Sequence, residues 1–120
     1  MYQYKATIER VIDGDTMDVT VDLGFFLTAR MRVRLRGVNT PEIRGPERPE
    51  GLKVKAFVQE TLPPGTQVVI NTYKLGKYGR YIADLFFHES SDDWREILNS
   101  GINLNRLLLD KGMARPIPSG

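Results

Sequence analysis

From Thr16 to Gly37 the chain repeats with a period of two residues. Met17, Val19, Val21 and Leu23 alternate with Asp18, Thr20 and Asp22. After Gly24-Phe25-Phe26 the alternation resumes, with Met31, Val33 and Leu35 set against Arg30, Arg32, Arg34 and Arg36. Successive side chains of a strand point to opposite faces, so each segment buries one face and wets the other. This pattern requires antiparallel sheet over a packed interior. It also places four guanidinium groups together on one strand face. With the turn near Phe25, Asp18 and Asp22 are expected roughly opposite Arg34 and Arg30. Cross-strand ion pairs of that kind contribute about 0.2–1 kcal/mol each. Alone, the arginine face reads equally as an ion-paired solvated surface or as a grip for phosphates.

The other elements follow from local signals. Thr7–Ile12 is expected as a first strand, broken by Asp13-Gly14 before the second. Val38 to Gly51 is a loop rich in Pro, Gly and charge. A helix is expected from about Pro49 to Leu62, stopped by Pro63-Pro64-Gly65. Gln67–Tyr73 and Tyr81–Phe87 read as a fourth and a fifth strand, joined by a turn around Gly76 and Gly79. Trp94–Leu98 fits either an added strand or a short helix. Asn103 is a good N-cap for a helix over Leu104–Lys111, with Gly112 placed to end it. The expected fold is mainly β with helices (α+β): a five-stranded OB-type barrel with two packed helices, in one domain over residues 1–120, with an irregular tail from residue 115 to 120. Barrels of this order often bind oligonucleotides.

Composition narrows the chemistry. The 120 residues include no Cys and one His, His88, which excludes thiolate zinc sites, cysteine nucleophiles and multi-histidine metal centres. No window is apolar enough for a membrane span, and Met1 to Glu9 lacks the apolar core of a secretory signal. The expectation is a monomer, cytoplasmic or of unknown location, with no membrane and no partner protein. The formal charge is only +2, but eight basic residues crowd between Arg30 and Lys55 against Glu42, Glu47 and Glu50. Such a local field suits a polyanion such as nucleic acid.

Four short clusters carry candidate chemistry. Asp13-Gly14-Asp15-Thr16 offers hard oxygen ligands on a tight turn, suited to Ca²⁺ or Mg²⁺; by itself it also reads as a plain hairpin turn. The arginine strand is the second cluster. Val38-Asn39-Thr40-Pro41-Glu42 gathers side-chain and backbone oxygens in a loop. Lys77-Tyr78-Gly79-Arg80 suits a phosphate and a stacked base, or a basic hairpin tip. With one His and no Cys, a general base must come from a carboxylate; Glu42 is the best available, with Asp13, Asp18 or Asp22 as alternatives that position does not support.

Taken in order, Val11-Ile12-Asp13-Gly14-Asp15-Thr16, Val33 to Glu42 and Lys77-Tyr78-Gly79-Arg80 closely resemble the staphylococcal nuclease (thermonuclease) family, as does Leu107 to Ala114 near the end. The resemblance runs from residue 5 to 115. It implies hydrolysis of DNA and RNA phosphodiesters, usually with one Ca²⁺. By position it implies Asp15, Asn39 and the Thr40 carbonyl as metal ligands, and Glu42 as the group that orients or deprotonates water. It implies Arg34 and Arg80 as catalytic groups binding the phosphate, with Lys77 and Tyr78 beside the nucleotide. Asn39 stands where the family has a second aspartate. Ligand charge sets Ca²⁺ affinity, so weaker binding, a changed metal preference or a nucleic-acid-binding module without catalysis is the expected consequence. The tail around Pro118 lacks the family's aromatic residues, and the span from Arg80 to Gly101 is longer than usual.

Overall fold

Residues 2–75 and 81–117 are described by the structure, a computed structural model. Alternation becomes two hairpins. β1 (Tyr2–Asp13) turns through Gly14-Asp15 into β2 (Thr16–Gly24), which turns through Phe25-Phe26 into β3 (Leu27–Leu35). β4 (Val38–Asn39) is a two-residue strand, followed by a 3₁₀ turn at Gly45–Glu47 and helix α1 (Arg48–Thr61). Then come β5 (Gln67–Leu75), β6 (Tyr81–Phe87), α2 (Trp94–Ser100), β7 (Ile102–Asn103), α3 (Leu104–Asp110) and β8 (Arg115–Pro116).

The long strands run in the order β3-β2-β1-β5-β6, and a parallel pairing of β3 with β6, Val33 to Tyr81 and Leu35 to Ala83, closes them into a five-stranded barrel. The interior takes the apolar set of each strand: Ile8, Met17, Val19, Val33, Leu35, Ile70 and Leu85 are all within 1% of complete burial. Val54, Val58 and Leu62, spaced by four, give α1 one apolar stripe against that interior. Fully burying a side chain of this kind contributes about 1.5–3 kcal/mol. The expected OB-type α+β architecture is present.

Asn105 fixes α3 with a polar clamp. Its buried carboxamide donates to the Arg36 and Ala83 carbonyls at 2.9 and 3.2 Å and accepts from the Leu85 N–H at 3.1 Å. Asn103 caps the helix through the Arg106 N–H. Gly112, at φ 70°, ends it in a Schellman turn, with Met113 N–H donating to the Leu108 carbonyl.

Four expectations need correction. The helices number three among the described residues: α2 forms because Asp93 caps it through the Arg95 N–H at 2.8 Å and Ile97 is buried where α2 packs on β5 and β6, apart from the main core. β1 starts at Tyr2 because Tyr2 to Thr7 find a partner in β5, a pairing that polar residues do not signal locally. The tail is regular at Arg115–Pro116, which pairs with β4. Finally, Asp18 lies opposite Arg32 and Asp22 opposite Thr28, two residues away from the expected register. A two-residue turn with an irregularity after Asp22 replaces the looser connection. Its central residues, Phe25 and Phe26, hold φ of 55° and 63°.

Candidate functional site

The acidic turn meets the rest of the site because Gly14 has no side chain. Its φ is not positive, so the turn itself does not require glycine. A Cβ there would stand 2.6 Å from Val54 and 2.9 Å from Thr40. The hydrogen atom in its place lets α1 and the loop after β4 close onto the turn. Gly51 plays the same part at the start of α1, where any Cβ would collide with the carbonyls of Pro41 and Glu42. The Glu42 N–H is also held, at 3.2 Å, by the Glu47 carboxylate.

These approaches enclose a polar hollow of about 150 Å³ lined by Asp13, Asp15, Arg34, Asn39, Thr40 and Glu42, with Pro41. Asp15 is buried at its centre. Its Oδ2 accepts the Thr40 N–H at 3.0 Å and Arg34 Nη2 at 3.4 Å, and its Oδ1 accepts the Thr16 hydroxyl at 3.0 Å. The Leu35 N–H donates to the Asp15 carbonyl at 2.8 Å, tying the turn to the end of β3. Arg34 reaches further, to Asn39 Oδ1 at 3.2 Å and the Val38 carbonyl at 3.2 Å. Glu42 is exposed at the rim.

The two aspartates are driven apart in proton affinity. Burial, then the facing Asp15 carboxyl, pushes Asp13 up to about 6. Burial also opposes ionisation of Asp15. The Asp13 carboxyl, the Thr40 N–H, the Arg34 charge and the Thr16 hydroxyl together outweigh it and hold Asp15 below the ordinary carboxylate range. At mildly acidic pH the pair therefore carries one proton and one charge. Arg34 is the counter-ion within 4 Å among the described residues.

Such a hard oxygen set, Asp15, Asp13 and Asn39, suits a divalent cation of the Ca²⁺ or Mg²⁺ kind. It is poor in charge. Among the described residues no three His, Cys, Asp or Glu side chains are grouped to hold a metal.

The hollow thus gathers Asp15, Arg34, Asn39, Thr40 and Glu42 from three stretches of chain. Lys77, Tyr78 and Arg80 lie outside the described residues. Asp13 lines the hollow too, although position singled out only Asp15; the shared Gly14 was the available signal. The other arginines of the run disperse. Arg32 binds Asp18 at 2.9 Å with Arg30 and Arg10 close by, and Arg36 binds Asp84 at 3.0 Å and stacks 4.2 Å from the Tyr73 ring. Barrel twist and the bend at Gly37, at φ 76°, send alternate side chains of one edge to three different aspartates.

The family model described as staphylococcal nuclease homologue matches residues 32–118. The chain belongs to this family. An uncharacterized protein of Methanocaldococcus jannaschii is 31% identical over 134 aligned positions, covering 93% of this staphylococcal nuclease homologue and 58% of that relative. The chain therefore spans somewhat over half the length of the curated relative it matches. No helix among the described residues of the homologue is long and apolar enough to cross a membrane.

Proposed function

We propose that this staphylococcal nuclease homologue is a metal-dependent nuclease that hydrolyses phosphodiester bonds of DNA, RNA or both. One observation carries the reading: a carboxylate pair, a pinned guanidinium and a rim carboxylate converge on one polar hollow of phosphate size. A phosphodiester resists attack because its oxygens are negative, so positioning and charge stabilisation are most of what a protein can add.

Arg34 supplies forked donors to the non-bridging oxygens as negative charge builds there. Its present partners, Asp15 and Asn39, hold the fork at the hollow before substrate arrives. Glu42, exposed and with a free carboxylate among the described residues, takes a proton from the attacking water. The new P–O bond forms as the opposite P–O bond breaks, and the departing oxygen is protonated from solvent. Arg80 is assigned the second guanidinium by resemblance, with Lys77 and Tyr78 beside the nucleotide. Asp15, Asn39 and the Thr40 carbonyl, with Asp13 close by, would hold the divalent cation, Ca²⁺ in the first instance. When bound, it supplies charge stabilisation and a more acidic water.

The test is degradation of single-stranded DNA and RNA with Ca²⁺ or Mg²⁺ against chelator. Arg80→Ala should abolish most activity without unfolding the protein. Failure of the folded protein to cleave either polymer with any divalent ion overturns the proposal. A second reading, a nucleic-acid-binding module without catalysis, is favoured by the carboxamide of Asn39 where a further carboxylate would strengthen the cation site. Binding without cleavage in metal would select it.

A further inference from the structure

The hairpin of β2 and β3 projects beyond the barrel: every residue from Asp22 to Thr28 is exposed. At its tip Phe25 and Phe26 are 94% and 106% exposed. Both hold positive φ, a backbone region that bulky residues rarely adopt and that Asn-Gly fills without cost in this turn. Two aromatic rings are thus presented to solvent on a strained turn, and nothing in the barrel uses them. Strain kept at such a place points to function.

The base of the hairpin, with Arg10 of the neighbouring β1, carries positive charge that is not fully paired. Arg10, Arg30 and Arg32 surround the single buried carboxylate of Asp18 at 3.7, 3.9 and 2.9 Å. Three guanidinium groups against Asp18 and the Glu9 carboxylate, which sits on the Thr20 hydroxyl opposite Arg30, leave one positive charge in excess. Arg32 spends its fork on Asp18. The Arg10 and Arg30 side chains donate no hydrogen bond among the described residues, and both are more than 60% exposed. Nearby Glu9 is bonded to Thr20, and Asp22 faces Lys5. Along β3 and into its turn, Arg34 in the hollow, Arg30 in this cluster and Phe26 at the tip follow at four-residue intervals. At about 3.3 Å per residue, the path from Arg34 to Phe26 is about 26 Å.

We infer that the β2–β3 hairpin is a binding arm for extended single-stranded nucleic acid. Arg10 and Arg30 grip the backbone beyond the reacting phosphate, and Phe25 and Phe26 stack bases at the far end. A charged track ending in aromatic faces is what single strands recognise without regard to sequence. This rests on the nucleic-acid reading of the hollow and adds a substrate class, the long unpaired strand in preference to the short fragment.

Two double variants test it: Phe25→Asn with Phe26→Gly, and Arg10→Gln with Arg30→Gln. Binding of a labelled oligothymidine of about sixteen nucleotides is measured in chelator by fluorescence anisotropy, and cleavage of a thymidine trimer is measured in Ca²⁺. The phenylalanine variant should bind the long strand about tenfold or more weakly, in the range of aromatic stacking. It should melt at higher temperature, because the turn strain is gone. In the arginine variant the slope of log affinity against log salt should fall by about 1.4, at about 0.7 per phosphate contact. Trimer cleavage should not change in either variant.

Unchanged long-strand binding in both variants, or equal losses on trimer and long strand, overturns the arm. If the parent meanwhile cleaves, the nuclease reading stands alone. Arm-dependent binding by a parent that cuts nothing keeps the arm and removes catalysis. A parent that binds no oligonucleotide removes both. Phenylalanine-dependent sedimentation with anionic vesicles, with oligonucleotide binding unchanged, assigns the tip to a bilayer instead.

Discussion

Arg34 rests on Asp15: Nη2 lies 3.4 Å from Oδ2, and the same nitrogen donates to Asn39 at 3.2 Å. The guanidinium suited to a phosphate thus occupies oxygens suited to a cation. On the proposed nuclease reading, a cation on Asp15 and a phosphate on Arg34 should each replace a partner of the other.

Calcium binding should accordingly be weak without a phosphate ligand. Asn39→Asp adds a fourth carboxylate to the hollow, beside Asp13, Asp15 and Glu42, and should raise Ca²⁺ affinity by about tenfold or more, since affinity follows ligand charge. Calorimetric titration beside a cleavage assay checks this. An aspartate variant with unchanged affinity would place the cation away from residue 39.

Glu42→Gln should lower cleavage by about 10²–10⁴-fold, the range of a general base. Its side chain makes no hydrogen bond among the described residues, so the melting temperature should be unchanged. A variant of equal rate would transfer the proton to another group, with Asp13 a further carboxylate lining the hollow.

Gly14→Ala should cost about 1–3 kcal/mol through overpacking against Val54 and Thr40. It should also lower activity, because the turn must back away from the loop that carries Glu42. Urea unfolding and initial rates measure the two effects. Wild-type stability would show that α1 yields easily.

Asp13 gives the protein without divalent ions a pH signature. Its folded value, about 6, stands above the ordinary 3.8, so the folded state binds the proton more tightly. Stability from this group is full below about pH 4, declines as pH rises toward 6, and is flat above. Asp15, shifted the other way, contributes stability above its ordinary value that is lost in stronger acid. Denaturant unfolding in chelator from pH 4 to 7 should show the decline, and Asp13→Asn should remove it. Added Ca²⁺ should restore stability near pH 7 by neutralising the pair. A flat profile in chelator would contradict this picture.

Much of this protein is written locally. The period-two alternation of β2 and β3 fixes which residues face inward, because a strand cannot bury both halves of an alternating pattern. Asn103, Gly112 and Pro63-Pro64 mark helix limits by backbone chemistry that needs no distant partner. The order of the acidic turn, Arg34 and the Asn39 to Glu42 loop named the family. Other features needed the closed barrel. Four arginines of equal spacing became one site residue and three others paired to Asp18 or Asp84, since twist and strand closure decide which carboxylate each one meets. Gly14 reads as turn chemistry in the chain, yet its role is steric, set by Val54 and Thr40 arriving from far along it. Asp13 acquires its raised proton affinity from burial beside Asp15, and burial is a property of the assembled fold.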